Sequence, residues 1–198
     1  MSIRGNKQLI PGKRRGAKGF SAVELVVAMA VVLVIGGIAV PSITTNLRVY
    51  QLNSVASIVA DQFKSSRFDA IRRNVPQTCY ITAFSGGYRL WTDAQGTAAY
   101  VNTDHTTLIS TQQTLESSVP TGSALASALG VSGTTVLSGG SSLTFDARGA
   151  VSGSTAVNVL YIGYPNNASY GYRAVVVMPS GSVQIWTPGG SAGWVQVN

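Results

Sequence analysis

A chain of 198 residues has room for one domain of ordinary size and an appended segment. Hydrophobic residues make up 45% of the chain and charged residues only 11%, which is a low share for a freely soluble globular protein. The 22 glycines, together with frequent serine and threonine, favour a β-rich domain with many turns over a helical bundle.

The net charge of +7 lies almost entirely in the first 19 residues. Six of the 14 Lys and Arg residues lie there without any acid, at Arg4, Lys7, Lys13, Arg14, Arg15 and Lys18. The chain from Phe20 onward contains the remaining eight basic residues and all seven acidic residues, so its net charge is close to zero. The overall charge is therefore no argument for nucleic acid as a ligand of the folded part.

An apolar segment follows at residues 20–40, and Glu24 is its only charged residue. As a helix, this segment would be roughly 30 Å long, which matches the hydrocarbon core of a bilayer. Basic residues precede the segment, and the first charge after Glu24 is Arg48. This asymmetry predicts a single membrane span with a cytoplasmic N-terminus and an extracytoplasmic C-terminal domain.

Three other interpretations apply to an apolar segment near an N-terminus. An uncleaved signal anchor and a secretory signal peptide cleaved near Val40-Pro41-Ser42 would both have a basic region before the apolar run. A buried core helix is the third. Proline at the cleavage site and the length of the run disfavour the signal peptide, and the charge asymmetry disfavours the core helix.

None of these three interpretations explains Glu24. A carboxylate inside an apolar helix is costly at the centre of a bilayer, so such a residue is a functional candidate. Cleavage after Gly19 would place a new α-amino group on Phe20, four positions before Glu24. The amine and the carboxylate would be close enough to attract each other along one helix and would be better placed to pair between staggered neighbouring subunits, where each charge would offset the cost of burying the other.

The segment Lys18-Gly19-Phe20-Ser21-Ala22-Val23-Glu24 resembles the processing motif of type IV prepilins. The resemblance implies that a prepilin peptidase cleaves between Gly19 and Phe20 and N-methylates Phe20, and that Glu24 guides subunit docking during assembly. Pro41 lies where pilin-like helices often carry a proline that bends or locally melts the helix. The implied partners are the peptidase, other pilin or pseudopilin subunits that contact the N-terminal helix, and membrane lipid before assembly.

The helix is predicted to continue from Pro41 to Val75, where Asn74-Val75-Pro76 is a stop signal. Apolar residues recur at spacings of three and four, with Asp61, Gln62 and Lys64 on other faces; they are Leu52, Val55, Val59 and Phe63. Strands are predicted at residues 78–83, 88–92, 142–145, 156–163, 172–178 and 182–187, with a short helix or loop at 123–129. The predicted fold class is α+β, a long hydrophobic N-terminal helix packed against an antiparallel β-sheet domain.

Four segments follow from this interpretation. They are a basic leader at 1–19 that is removed on maturation, a transmembrane and assembly helix at 20–41, an amphipathic helix at 42–75, and a β-rich periplasmic domain at 76–198. The last part resembles the GspH/FimT-type minor pseudopilins in the helix end SRFDAIRRN (66–74), in LTFDARG (143–149), and in a hairpin that joins YRAVVV (172–177) to SGSV (180–183).

Residues for catalysis or metal binding are scarce. His105 is the only histidine and Cys79 the only cysteine, and neither belongs to a spacing typical of a catalytic triad or a metal site. We interpret His105 as a surface-loop residue and Cys79 as a buried, inert strand residue. We therefore expect no catalytic residue, no metal, no cofactor and no enzymatic activity.

Two functional classes remain. The first is a minor pilin or pseudopilin of the bacterial inner membrane that initiates or caps a filament of a type II secretion system or type IV pilus. The alternative is a DNA-binding minor pilin for natural transformation, since some FimT-like proteins bind DNA through basic residues near the C-terminus. No Lys or Arg follows Arg173 here, and Arg67, Arg72 and Arg73 are interpreted as solvating a helix end. Because phosphate contacts dominate DNA affinity, nucleic acid is not an expected partner.

Overall fold

The computed structural model describes residues 19–110, 114–116, 125–164, 168–189 and 193–197. Residues 1–18, nearly all of the predicted leader, lie outside the described residues, and so do residues 123 and 124 of the predicted helix or loop. The chain divides into two compact units, and the boundary falls between Ile43 and Thr44.

One long helix, α1, comprises the 52 residues Ala22–Arg73. In the first unit its side chains at residues 22–38 are almost all apolar and exposed. In the second unit Leu52, Val59 and Phe63 are fully buried, and burial of each stabilises the fold by about 1.5–3 kcal/mol. Pro41 lies inside α1, and the bend that the resemblance implies there remains a prediction.

The C-terminal end of α1 has a Schellman cap. Asn74 adopts a left-handed conformation with a φ of 52°. Its N–H donates to the carbonyl of Ile71 at 3.2 Å, and the N–H of Val75 donates to the carbonyl of Ala70 at 3.3 Å. These bonds satisfy carbonyls that the helix leaves open, and Pro76 then prevents its continuation. The predicted stop is confirmed.

Ten strands and a second helix are present in the described residues after α1. The second helix, α2, is Leu125–Ala128, and a single 3₁₀ turn forms at Ala168–Tyr170. The strands in chain order are β1 Gln77–Phe84, β2 Gly87–Asp93, β3 Thr106–Ser110, β4 Thr114–Glu116, β5 Thr134–Val136, β6 Ser142–Phe145, β7 Val157–Gly163, β8 Arg173–Val177, β9 Val183–Pro188 and β10 Trp194–Val197.

These strands form two sheets. The first is antiparallel, with the spatial order β3-β2-β1-β6. The second has the order β10-β9-β8-β7-β4, and β5 pairs with β7 beside β4. The β5–β7 pair is parallel, whereas the other pairs are antiparallel. The predicted α+β class is confirmed, and the β domain contains two sheets with one parallel pair instead of a single antiparallel sheet.

The main core lies between α1 and both sheets. Leu52 and Phe63 of α1 pack in one cluster with Ile81 and Leu90 of the first sheet and with Leu160 of the second. A second cluster, which includes α2 and β10, covers the other face of the second sheet. Every residue of β7 is consequently buried, which explains why this strand is apolar apart from Asn158 and lacks the alternation of a half-buried strand.

All six predicted strands are confirmed, and their ends differ from the prediction by one residue at most. The predicted helix or loop at 123–129 contains α2 in its described part. Strands β3, β4, β5 and β10 were not predicted, because they are short and mostly lack the alternation of apolar and polar residues that marks a half-buried strand.

Candidate functional site

The predicted processing junction lies immediately before α1. Gly19 and Phe20 have no regular secondary structure, and the Phe20 side chain is 83% exposed. A Cβ atom added to Gly19 would meet no atom within 4 Å. The junction is therefore accessible in the isolated chain, and its cleavage stays a prediction.

Glu24 lies in the first turn of α1, where its backbone N–H donates to Ser21 Oγ at 3.2 Å. The N–H of Leu25 also donates to the carbonyl of Ser21, at 3.1 Å, so Ser21 caps the helix. A Ser followed three positions later by Glu is the capping-box pattern, and a carboxylate is favoured at a helix N-terminus. Sequence reasoning missed this pattern, which gives Glu24 a local stabilising contribution beside its predicted role in assembly.

The helical segment after Glu24 exposes a continuous apolar surface. Leu33 is 76% exposed and Ile38 is 74% exposed. In its most apolar window of 18 residues, α1 has a mean hydropathy of 2.7 with no residue buried, so by length and composition it is able to cross a membrane. An apolar surface of this extent requires lipid or other helices to cover it.

In the second unit a buried polar network joins α1 to the first sheet. Gln62 Nε2 donates to Thr92 Oγ1 and to the carbonyl of His105, both at 2.9 Å, and Gln62 Oε1 accepts from Thr107 Oγ1 at 2.9 Å. Ser66 Oγ lies 2.6 Å from Thr92 Oγ1. Gln62 is fully buried, so its placement on an outer face of the helix was wrong. The satisfied amide holds one register of α1 against β2 and β3.

Arg67 joins the end of α1 to two turns that follow strands. Its Nε donates to the carbonyl of Gly149 at 3.0 Å, and the side chain is half-buried. A Cβ atom at Gly181 would overlap the carbonyl oxygen of Gly149 and lie 2.9 Å from Arg67 Nε. The interpretation of Arg67 as a solvated residue was therefore wrong. The turn glycines of the motifs at 143–149 and 180–183 provide the space in which Arg67 fits.

The other two arginines at this helix end contact protein acceptors at the surface. Arg72 pairs with Asp69 at 2.8 Å, and Arg73 donates to the carbonyl of Ala94 at 3.3 Å. The Arg72 side chain is exposed, as expected for a residue that solvates a helix end.

The loop at residues 94–105 is organised by Asp93. Its carboxylate accepts backbone N–H bonds from Gln95, Gly96, Thr97 and Ala98 at 2.7–3.2 Å. Burial by itself would raise the pKa of Asp93, but these four bonds outweigh it and hold the pKa below its ordinary value. His105, the last residue of this loop, is exposed, as predicted.

Cys79 is fully buried in β1. Burial raises the pKa of the Cys79 thiol to about 12, and the hydrogen bond with Ser66 offsets only part of that shift. The thiol is therefore protonated at neutral pH and unreactive, as predicted. In the described ranges, no group of three His, Cys, Asp or Glu residues is placed to hold a metal ion.

A helix with an exposed apolar N-terminal segment and a C-terminal half packed on antiparallel sheets defines a pilin-like protein. The family model of the type II transport protein GspH matches residues 56–181, and the chain therefore belongs to the GspH family. This match includes the helix end, both turns and the hairpin on which the GspH/FimT resemblance rests. The processing motif at 18–24 lies outside it.

The chain is similar to a solved structure, that of the type IV minor pilin FimU of Pseudomonas aeruginosa (strain PAO1). Its sequence identity to this chain is 18% and the TM-score is 0.45, with 69% of this chain and 88% of that chain covered. A comparison with curated proteins gives no match.

Proposed function

We propose that this protein is a minor pilin or pseudopilin, a structural subunit that initiates or caps a filament of a type II secretion system or type IV pilus. The observation that carries the proposal is an exposed apolar helix whose first turn contains a single carboxylate, Glu24. Such a helix is stable where apolar neighbours cover its surface and a positive charge faces its carboxylate. The N-terminal helices of neighbouring subunits supply both. Membership of the GspH family supports the same function.

Before assembly, the segment at residues 20–41 spans the bacterial inner membrane once. The leader faces the cytoplasm, where basic residues are favoured next to a span, and the C-terminal domain faces the periplasm. Both the mean hydropathy of α1 and the concentration of Lys and Arg before Gly19 support this topology.

Prepilin peptidase cleaves the bond between Gly19 and Phe20 and N-methylates Phe20. Cleavage discards six basic residues and creates an amine next to the capped start of α1. In the filament this amine pairs with Glu24 of a neighbouring subunit, so that neither charge is buried alone.

Mass spectrometry of the mature N-terminus tests the proposal. We expect a chain that begins at N-methylated Phe20. A start at Met1 would indicate an uncleaved anchor, and a start near Ile43 would indicate a secretory signal peptide; either result would defeat the proposal. Gly19→Leu is the matched control, because a Cβ atom at Gly19 would meet no described atom within 4 Å, so we attribute a block of cleavage to the peptidase.

The DNA-binding alternative receives no comparable support. Arg67 bonds to Gly149 and Arg72 pairs with Asp69, so these basic side chains already have acceptors within the protein. The neighbouring genes distinguish the two filament systems: a secretion ATPase with other pseudopilins indicates secretion, and pilus or twitching components indicate a pilus.

A further inference from the structure

A second feature of α1 lies at the start of the second unit, directly after the apolar segment. Between Glu24 and Asp61 the helix contains no acid, and Arg48 is its only charged residue. Asp61 lies more than three turns beyond Arg48 and pairs with Lys64 at 3.3 Å. This part of the helix therefore carries positive charge alone.

The Arg48 side chain is held by Gln51 and Tyr164. Its Nη1 donates to Gln51 Oε1 at 3.2 Å, and its guanidinium lies 5.6 Å from the centre of the Tyr164 ring. The Tyr164 hydroxyl donates to the same Gln51 oxygen at 2.8 Å. These contacts orient a half-buried guanidinium at the surface of the domain.

Arg173 brings a second guanidinium to the same part of α1. Its Nε donates to Asn53 Oδ1 at 2.6 Å and its Nη1 to the carbonyl of Tyr172 at 2.7 Å, so both partners are neutral. The ion pairs found among the described residues, Lys64–Asp61 and Arg72–Asp69, do not include it. The side chain is only 7% exposed, and burial lowers the pKa of Arg173, yet an arginine remains charged at neutral pH. A buried charge without a counter-charge favours the approach of an anion.

Tyrosines lie near Arg48, because Tyr164 contacts its guanidinium and Tyr50 follows it by two positions on α1. Tyr50 is 71% exposed on α1, and Tyr164 makes an edge-to-face contact with Tyr170 at 5.2 Å between ring centres. Tyrosine and arginine are typical of the boundary between a bilayer and water, because each has an apolar body and a polar tip.

We propose that this basic region, defined by Arg48, Arg173, Tyr50, Tyr164 and Tyr170, binds the phosphate of anionic glycerophospholipids in the leaflet next to the domain. The inference rests on the proposed function, since it requires the preceding apolar segment to lie in a membrane. Arg48 contacts the headgroup, and Arg173 adds positive potential from behind it. The bound lipid holds the domain at the membrane surface until the subunit enters a filament.

Native mass spectrometry of the full chain in a non-ionic detergent tests this inference, with phosphatidylglycerol and phosphatidylcholine as probes. Arg48→Gln should lower the preference for phosphatidylglycerol about fivefold, which corresponds to one basic residue at an anionic surface. Arg48→Lys should keep most of the preference, since it preserves the charge. Arg148→Gln removes an exposed arginine from a turn and should change nothing. The basic leader also attracts anionic lipid, but equally in all variants.

Equal effects of Arg48→Gln and Arg148→Gln would overturn the inference, provided that the near-ultraviolet circular dichroism of both variants matches that of the wild type. Competition by inorganic phosphate at an affinity equal to that of phosphatidylglycerol would also overturn it, because the site would then bind free phosphate. Alkaline extraction of cell membranes tests the proposed function separately. A protein released into the soluble fraction would defeat the proposed function, whereas an anchored protein without lipid preference would defeat only this inference.

Discussion

The contact of Arg67 with Gly149 and Gly181 shows how single residues join distant parts of this domain. Both glycines have left-handed φ angles, of 81° and 79°, in turns that follow β6 and β8. At each position an added Cβ would lie 2.9 Å from Arg67 Nε. Glycine is therefore required twice over, for its backbone conformation and for the absence of a side chain.

We expect Gly181→Ala to lower the free energy of unfolding by about 2–5 kcal/mol, from left-handed strain together with steric overlap at Gly149. Gly153→Ala is the matched control, because Gly153 has a φ of 73° and no atom within 4 Å of its Cβ position. It should cost only the backbone strain, about 1–2 kcal/mol. Urea unfolding of the full chain in detergent measures both, and equal losses would contradict the steric account.

At the scale of elements, α1 is one helix with two environments. Its first part is apolar around its whole circumference, as in a membrane span, whereas its second part buries one face against the sheets. The spacing of Leu52, Val59 and Phe63 predicted that buried face correctly. Gln62 was misplaced because a helical pattern assigns polar residues to the outside, and only the nearby Thr92 and Thr107 hydroxyls make its burial favourable.

The stability that the loop at residues 94–105 contributes to the fold should depend on pH, because Asp93 organises this loop. Its pKa is lower in the folded state than the value of about 3.9 in an unfolded chain. Its contribution to stability is therefore complete above that value and is lost as the pH falls through the lower folded-state pKa. Asp93→Asn should cost about 1–3 kcal/mol at pH 7, because an amide nitrogen cannot accept the Ala98 N–H.

Urea unfolding at pH 7 and near pH 3 tests this prediction. The difference in the free energy of unfolding between the wild type and Asp93→Asn should be smaller at the lower pH. Asp61→Asn is the control, since Asp61 is an exposed carboxylate whose removal should change stability little at either pH. If this difference in the free energy of unfolding does not change with pH, the charge of the carboxylate is not what organises the loop.

At the scale of the whole molecule, Glu24 has two possible contributions, one within the chain and one between chains. Within the chain it occupies the glutamate position of a capping-box pattern, where its backbone N–H donates to Ser21 Oγ, and between chains we propose that it pairs with the amine of Phe20. The two are separable because glutamine serves in a capping box as well as glutamate does, but carries no charge.

Glu24→Gln should leave cleavage and helix formation intact but reduce incorporation into filaments at least about a hundredfold, since one buried amine would lose its partner. Ser21→Ala should cost about 1 kcal/mol of helix stability and leave incorporation nearly unchanged, because the charge remains. The recovery of each variant in the sheared filament fraction measures the difference. Equal losses would mean that Glu24 acts through the helix cap alone.

The sequence by itself determined those features that depend on neighbours along the chain. The apolar segment, the helix stop at 74–76 and six strands follow from periodicity and local caps, and the motifs at 66–74 and 143–149 identified the GspH family. Only the tertiary structure decided that Gln62, Arg67 and Arg173 are buried or half-buried. Their partners lie 30 to 120 positions away in sequence, so no local pattern reveals them. Whether a polar side chain is solvated or paired depends on which surfaces the packing of α1 against the two sheets brings together.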